Sequence, residues 1–308
     1  MNRRNVLKSS AVLAGSLLVS SKAIAQEKKN HNFTFCLNTS TIMKQKIGLV
    51  EEIKLAAAVG YDGIEIWMRT LQEYVDNGGK LADIKKLAND LNIRIEDSIG
   101  FAKWVVDDET ERKAAMEQLK VEMDMLSQIG CKRIAAPPFG ATKVPGLNLK
   151  EAADRFALVA ELGKQMGVLP QLELWGFSAN LHLFGETLFV AAESGSPSAV
   201  ILPDVYHLYR GGSPFESLEM INGSKIEMFH MNDYPAGKER ESVTDAMRVM
   251  PGDGAAPMDR ILQILNAKGR EIVLSLEIFN EEYWAMDAKK TAEIGLAKMK
   301  ASVTRAIK

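Results

Sequence analysis

Several familiar signatures are missing from this chain, and each absence removes a class of protein. Cysteine occurs only twice in 308 residues, at Cys36 and Cys131, so no disulfide framework staples the fold. Histidine occurs four times. Neither H-E-x-x-H nor a paired C-x-x-C is present, which removes the common zinc-protease and zinc-finger patterns. The first expected strand is followed by Leu37-Asn-Thr-Ser-Thr41, without a glycine, so the Gly-x-Gly-x-x-Gly start of a Rossmann fold is absent. No Pro/Ser-rich linker or low-complexity tract divides the chain. Positive charge is not in excess either: 38 Lys and Arg stand against 40 Asp and Glu. A chain without a cationic surplus is a poor binder of phosphate backbones, so no nucleic-acid partner is expected.

What is present starts with an N-terminal address. Arg3-Arg4-Asn5-Val6-Leu7-Lys8 is a twin-arginine pair with a trailing lysine. The apolar stretch from Ala11 to Val19 is too short to span a bilayer as a helix. Ala23-Ile24-Ala25 then has the small-x-small form of a signal-peptidase site. The pattern predicts a signal peptide over 1–25 and a mature chain over 26–308, exported by the twin-arginine route to the periplasm. No cysteine sits at the cleavage point, so no lipid anchor is implied. Without residues 1–25 the balance becomes 34 basic against 40 acidic side chains.

After Gln26, short apolar runs alternate with longer amphipathic ones. Strands are expected at 33–37, 63–67, 93–96, 133–136, 169–174, 199–203, 225–230 and 272–277. Helical spacing follows at 47–59, 81–91, 109–129, 149–166, 184–194, 214–222, 258–267 and 288–307. Eight strand–helix units in one uninterrupted stretch fit an α/β fold of the (β/α)8 TIM-barrel kind, as a single domain, better than an open doubly wound sheet.

In such a barrel, chemistry sits where strands end. The last four strands present Glu173, Asp204, His230 and Glu277 at or near that point, each after an apolar run. Three buried acids and one imidazole facing a common mouth repel one another unless a positive ion lies among them. Oxygen-rich ligation with one histidine suits one divalent metal, Mn²⁺ or Mg²⁺ first, with Co²⁺ or Zn²⁺ accommodated.

The segments around these residues resemble the xylose-isomerase-like sugar isomerase/epimerase superfamily. They are Gln171-Leu-Glu-Leu174, Asp204-Val-Tyr-His207, Phe229-His-Met-Asn-Asp233 and Leu276-Glu-Ile-Phe279. Cys36-Leu-Asn38, Gly60-Tyr-Asp-Gly-Ile-Glu-Ile66, Arg248-Val-Met-Pro-Gly252 and Glu282-Tyr283 extend the likeness, within that superfamily, to the inosose (2-keto-myo-inositol) isomerases. The resemblance implies a TIM barrel whose Glu173, Asp204, His230 and Glu277 hold one divalent metal, manganese preferred. It implies a small carbohydrate or cyclitol substrate isomerised or epimerised by proton abstraction beside a metal-polarised carbonyl. Glu173 and Glu277 are the expected acid–base pair.

Around them, His207 is expected either to bond a substrate oxygen or to orient Asp204. Arg248 is expected to reach substrate or to pair Asp245 or Glu241 at the surface. Asn38 and Glu65, which end the first two strands, are expected to face the same mouth as substrate contacts. Trp67, Trp104 and Trp175 are candidates for an apolar wall. Barrels of this type often pair as homodimers, although no segment marks an interface. The rival enzyme is an exported lyase that uses the same enolisation to eliminate the aglycone of a 3-keto-glycoside. Endonuclease IV shares the barrel but uses three metals and many histidines, which this chain does not have. A catalytically silent sugar-binding protein is the non-enzymatic alternative.

Overall fold

The computed structural model describes residues 30–308. The expected export signal and its boundary at residue 25 lie outside the described residues. Eight strands follow in order: β1 (Phe33–Asn38), β2 (Gly63–Trp67), β3 (Arg94–Ile99), β4 (Arg133–Ala136), β5 (Leu169–Glu173), β6 (Val200–Leu202), β7 (Met228–Met231) and β8 (Ile272–Leu276). All pairings are parallel, in two hydrogen-bonded arcs, β3-β2-β1-β8-β7 and β4-β5-β6. The seam between β6 and β7 is bridged where the His230 N–H donates to the Pro203 carbonyl at 2.9 Å, and β3 lies against β4. The ring of eight is the TIM barrel that the alternation predicts.

The helices that wrap it are set by their ends and their apolar faces. Asp108 caps the helix Glu109–Ile129 by accepting the Glu111 N–H, and Gly130 stops it at φ +86°, a left-handed turn that a side chain resists. Helix Met258–Asn266 buries Met258, Ile261, Leu262 and Leu265, the spacing of one helical face. A large apolar layer lies between strands and helices. A second, smaller one fills the barrel interior from Cys36, Ile99, Ala135, Leu202, Met228 and Val273. Cys36 and Cys131 are both buried and free. No helix among the described residues is long and apolar enough to cross a membrane.

Three local differences from expectation have physical causes. The β3 strand runs on to Ile99 through Asp97 and Ser98, polar residues that look like a turn in sequence but are fully buried inside the barrel. Helix Met68–Asp76 starts directly from the end of β2, and helix Val205–Gly211 starts just after Pro203 and Asp204 beyond β6, capped by Asp204. Residues 214–222 form only a 3₁₀ turn, Phe215–Met220, because Pro214 precedes a stretch too short to propagate an α-helix.

Beside helix Leu49–Val59 lies a groove of about 800 Å³ that contains none of the strand-end acids. Glu52 lines it and is 5% exposed, with its Oε2 unpartnered. Burial, reinforced by the nearby Glu73 charge, pushes its carboxyl up to about 7. The folded state therefore holds this proton more tightly than the unfolded chain does. Stability contributed by the neutral carboxyl is lost as pH rises from the ordinary range through about 7. Glu52→Gln is expected to stabilise the protein by about 2–3 kcal/mol at pH 8 and by under about 1 kcal/mol at pH 5. Thermal unfolding at the two pH values checks this.

Candidate metal centre and active site

The end of each late strand delivers one polar side chain to a common point. Glu173 is the last residue of β5, Asp204 follows β6 by two residues, His230 lies within β7, and Glu277 follows β8 directly. Asp204, His230 and Glu277 are all buried, and their donor atoms lie within 4.8 Å of one another. His230 Nδ1 is 3.2 Å from Glu277 Oε2, 3.7 Å from Asp204 Oδ2 and 4.0 Å from Glu173 Oε1. The four residues read from strand ends are thus brought together.

His230 is held from the opposite side. Its Nε2–H donates to Glu65 Oε1 at 2.9 Å, and Ser275 donates its hydroxyl to the other Glu65 oxygen. Glu65 is fully buried, and both of its oxygens are engaged within the protein. That corrects its expected place as a substrate contact: it fixes the ring and tautomer of His230 from below. A register slip between Ile64 and Glu65, where β2 pairs with β3, accompanies this placement.

With Nε2–H committed to Glu65, Nδ1 turns its lone pair toward the acids. It is buried and has no aligned hydrogen-bond partner. Asp204, His230 and Glu277 form a group that could hold a divalent metal, and Glu173 Oε1 lies beside it, 4.0 Å from Nδ1. Burial alone would disfavour charge on His230, but Glu277 and Glu65 outweigh it and raise its basicity. Burial lifts Glu173 well above the ordinary carboxylate range and Asp204 to about 6. Burial would also lift Glu277, yet His230 and Arg248 hold it below that range.

Arg248 is not a surface residue. It is 1% exposed, and its Nη1 donates to Asp204 Oδ2 at 3.0 Å and Glu277 Oε2 at 2.7 Å. Its Nη2 donates to Asp245 and lies 3.1 Å from His207 Nε2. The expected pairing with Asp245 is present, together with the buried contacts; Glu241 pairs Arg240 instead. His207, 2% exposed, receives the Gly176 N–H on Nδ1, while its own backbone N–H donates to Asp204 Oδ1 at 2.8 Å. Burial, then the Arg248 charge, pushes its pKa well below the ordinary value. Asn38 donates to Glu277 Oε1 at 3.3 Å and accepts from the Trp67 indole.

Two polar residues escaped the sequence reading. Asn232 donates to Asp204 Oδ2 at 2.9 Å, and Asp233 accepts the backbone N–H groups of Gly252, Gly254 and Ala256, fixing the loop after Arg248. Their signal was the polar pair closing Phe229-His-Met-Asn-Asp233. Trp104 leaves the expected apolar wall: it is 2% exposed and packs on Phe156.

A family model described as a xylose isomerase-like TIM barrel matches residues 53–302. Inosose isomerase of Bacillus velezensis is 26% identical over 277 residues, which cover 88% of this chain and 97% of the relative. The 3-dehydroshikimate dehydratase of Pseudomonas aeruginosa is 25% identical over 255 residues, 80% of this chain but 39% of that longer protein. A fructoselysine 3-epimerase also stands among the relatives. Among solved structures, the IOLI protein with a bound zinc atom superposes with a TM-score of 0.82 at 24% identity, over 89% of this chain and 99% of its own. Together these similarities mark the chain as an enzyme of the sugar isomerase and epimerase kind. They also overturn the expected periplasmic location: the relatives are inosose isomerases, and the segment on which that expectation rested lies outside the described residues.

Because Glu65 orients the histidine, Glu65→Gln is expected to lower the affinity for a divalent metal about 10- to 100-fold. Calorimetric titration of the apoprotein with Mn²⁺ or Zn²⁺ measures this, with circular dichroism to confirm the fold.

Proposed function

The chain belongs to the xylose isomerase-like TIM-barrel family, and from that premise we propose that it is a divalent-metal-dependent isomerase or epimerase of a keto-sugar or keto-cyclitol. The observation that carries this reading is the buried, unpartnered Nδ1 of His230 among Glu173, Asp204 and Glu277. These four residues would hold the ion. Three carboxylates and one imidazole are a donor set that suits Mn²⁺. The bound ion supplies Lewis acidity to a substrate carbonyl and balances the acids' charge.

The chain's own residues do the proton work. Glu173 and Glu277 enter the cluster from β5 and β8, on different sides of the barrel, so one takes the proton from the carbon beside the carbonyl and the other returns it. Asn38 holds Glu277 Oε1 and Arg248 holds Oε2, which fixes that carboxylate's direction. Arg248 and His207, 3.1 Å apart, form the polar edge for substrate oxygens, including the one that gains negative charge as the proton leaves.

A second outcome is favoured by the dehydratase relative. After the same proton is removed, a group β to the carbonyl departs with its bonding electrons and a C=C bond forms. The two outcomes differ only in whether such a group is present and expelled.

Incubation with 2-keto-myo-inositol in D₂O is expected to exchange the hydrogen next to the ketone, followed by NMR. Glu173→Gln and Glu277→Gln are each expected to reduce exchange and turnover about 10²- to 10⁴-fold; near-normal exchange in either would remove that residue from the pair. Chelation is expected to abolish activity, and Mn²⁺ to restore it further than Mg²⁺ or Zn²⁺ at equal concentration.

A further inference from the structure

The mouth of the barrel has two unlike halves. Glu173, Asp204, His230, Arg248 and Glu277 make one half polar. The other carries six aromatic rings in unbroken contact: Phe279, Trp67, Phe101, Phe139, Trp175 and Phe177. Trp67 lies 6.1 Å from Phe279 and 5.3 Å from Phe101, which lies 5.4 Å from Phe139 and 6.2 Å from Trp175; Trp175 stacks on Phe177 at 5.3 Å. These are the separations of favourable ring pairs.

The arc caps the interior apolar cluster, against which Trp67 and Phe101 pack, but is not itself closed off from water. Trp104 and Phe156, which are core, are 2% and 0% exposed, whereas Phe177 is 43% exposed and the other five rings are half-buried. A connected apolar patch left open to water is costly and marks a binding surface. Both ends of the arc meet the polar cluster. Phe177 packs on His207 at 5.7 Å, and the Arg248 guanidinium lies 5.1 Å from the Phe279 ring. Gly176 fixes the Trp175–Phe177 pair, since a Cβ there would meet the His207 carbonyl oxygen at 2.4 Å.

The polar atoms of these rings are already spent. The Trp67 indole N–H donates to Asn38, and the Trp175 side chain hydrogen-bonds Glu173. The arc therefore offers ring faces and edges, with no free hydrogen-bonding group. A bare cyclitol or ketose carries hydroxyls all round, and laying these along the arc would bury polar groups without partners. We propose that the aromatic arc is a subsite for a flat apolar substituent, an aryl group, joined to the carbohydrate or cyclitol ring that occupies the polar half. This deepens the reading above and rests on it, since the polar half is the enolising site proposed there.

The test needs no turnover. Phenyl β-D-glucopyranoside and methyl β-D-glucopyranoside are titrated into the metal-loaded full chain by calorimetry, with tryptophan emission followed in parallel. The phenyl glucoside is expected to bind at least about tenfold more tightly and to shift the emission. Phe101→Leu and Phe139→Leu, whose ring contacts run to other members of the arc, are each expected to lower that preference at least about threefold. Equal binding of the two glucosides overturns the proposal, as does a preference unchanged in both variants. Emission that responds to protein concentration but not to phenyl glucoside also overturns it, and makes the arc a contact between two copies. Phenyl selectivity without deuterium exchange of any ketone would instead refute the enolising site and leave the aryl subsite standing.

Discussion

Charge balance among buried acids is the constraint on which this molecule depends. Glu65, Asp204 and Glu277 are at most 4% exposed, as is Glu173, and all lie close around one imidazole. Ionised carboxylates at such burial are unstable without positive partners. Arg248 supplies one, and with the Nε2–H of His230 committed to Glu65, Nδ1 is directed at a point where a divalent ion would supply the rest. The surrounding hydrogen bonds follow from this need. Glu65, Ser275, Asn38 and Asn232 each direct one donor or acceptor of the cluster, so few of its oxygens are left to wander.

The barrel makes the arrangement affordable by distributing it. The strands β5 to β8 contribute short buried runs, and the cost of burying one polar side chain at or near the end of each is spread over separate elements. Parallel register sets the depth. His230 and Cys36 both pair with Ser275, so the ring of His230 sits level with the serine that engages Glu65 beneath it. The same mouth is apolar on its other side, where the end of β2 carries Trp67 and the loops after β3 to β5 carry Phe101, Phe139, Trp175 and Phe177. A site divided in this way has an orientation built in: oxygen atoms turn to one side and apolar surface to the other.

Much of the architecture was legible because period and punctuation are local properties. Gly130 after an amphipathic stretch and Asp108 before it mark the ends of one helix wherever that helix is placed. Glu173, Asp204, His230 and Glu277 were legible for a related reason, since an acid or imidazole directly after an apolar run breaks the strand pattern visibly. Glu65 breaks it in the same way, yet its role was misplaced. Sequence reveals that a carboxylate lies at a strand end, but not whether it points up to the mouth or across to a neighbouring strand. Arg248 was ambiguous because it lies on an irregular loop, where no periodicity signals burial.

Sequence alone determined the order of elements, the apolar faces and the set of polar residues that strand ends would carry, because these depend on neighbours within a few positions. Only the tertiary structure decided which of them meet. The partners of His230 come from β2, β5, β6 and β8, separated by up to 165 residues in the closest bond, His230 to Glu65. The aromatic arc likewise gathers rings from the end of β2 and from the loops after β3, β4, β5 and β8. Closure of the barrel turns a linear list into a circle, and distance around that circle bears no fixed relation to distance along the chain.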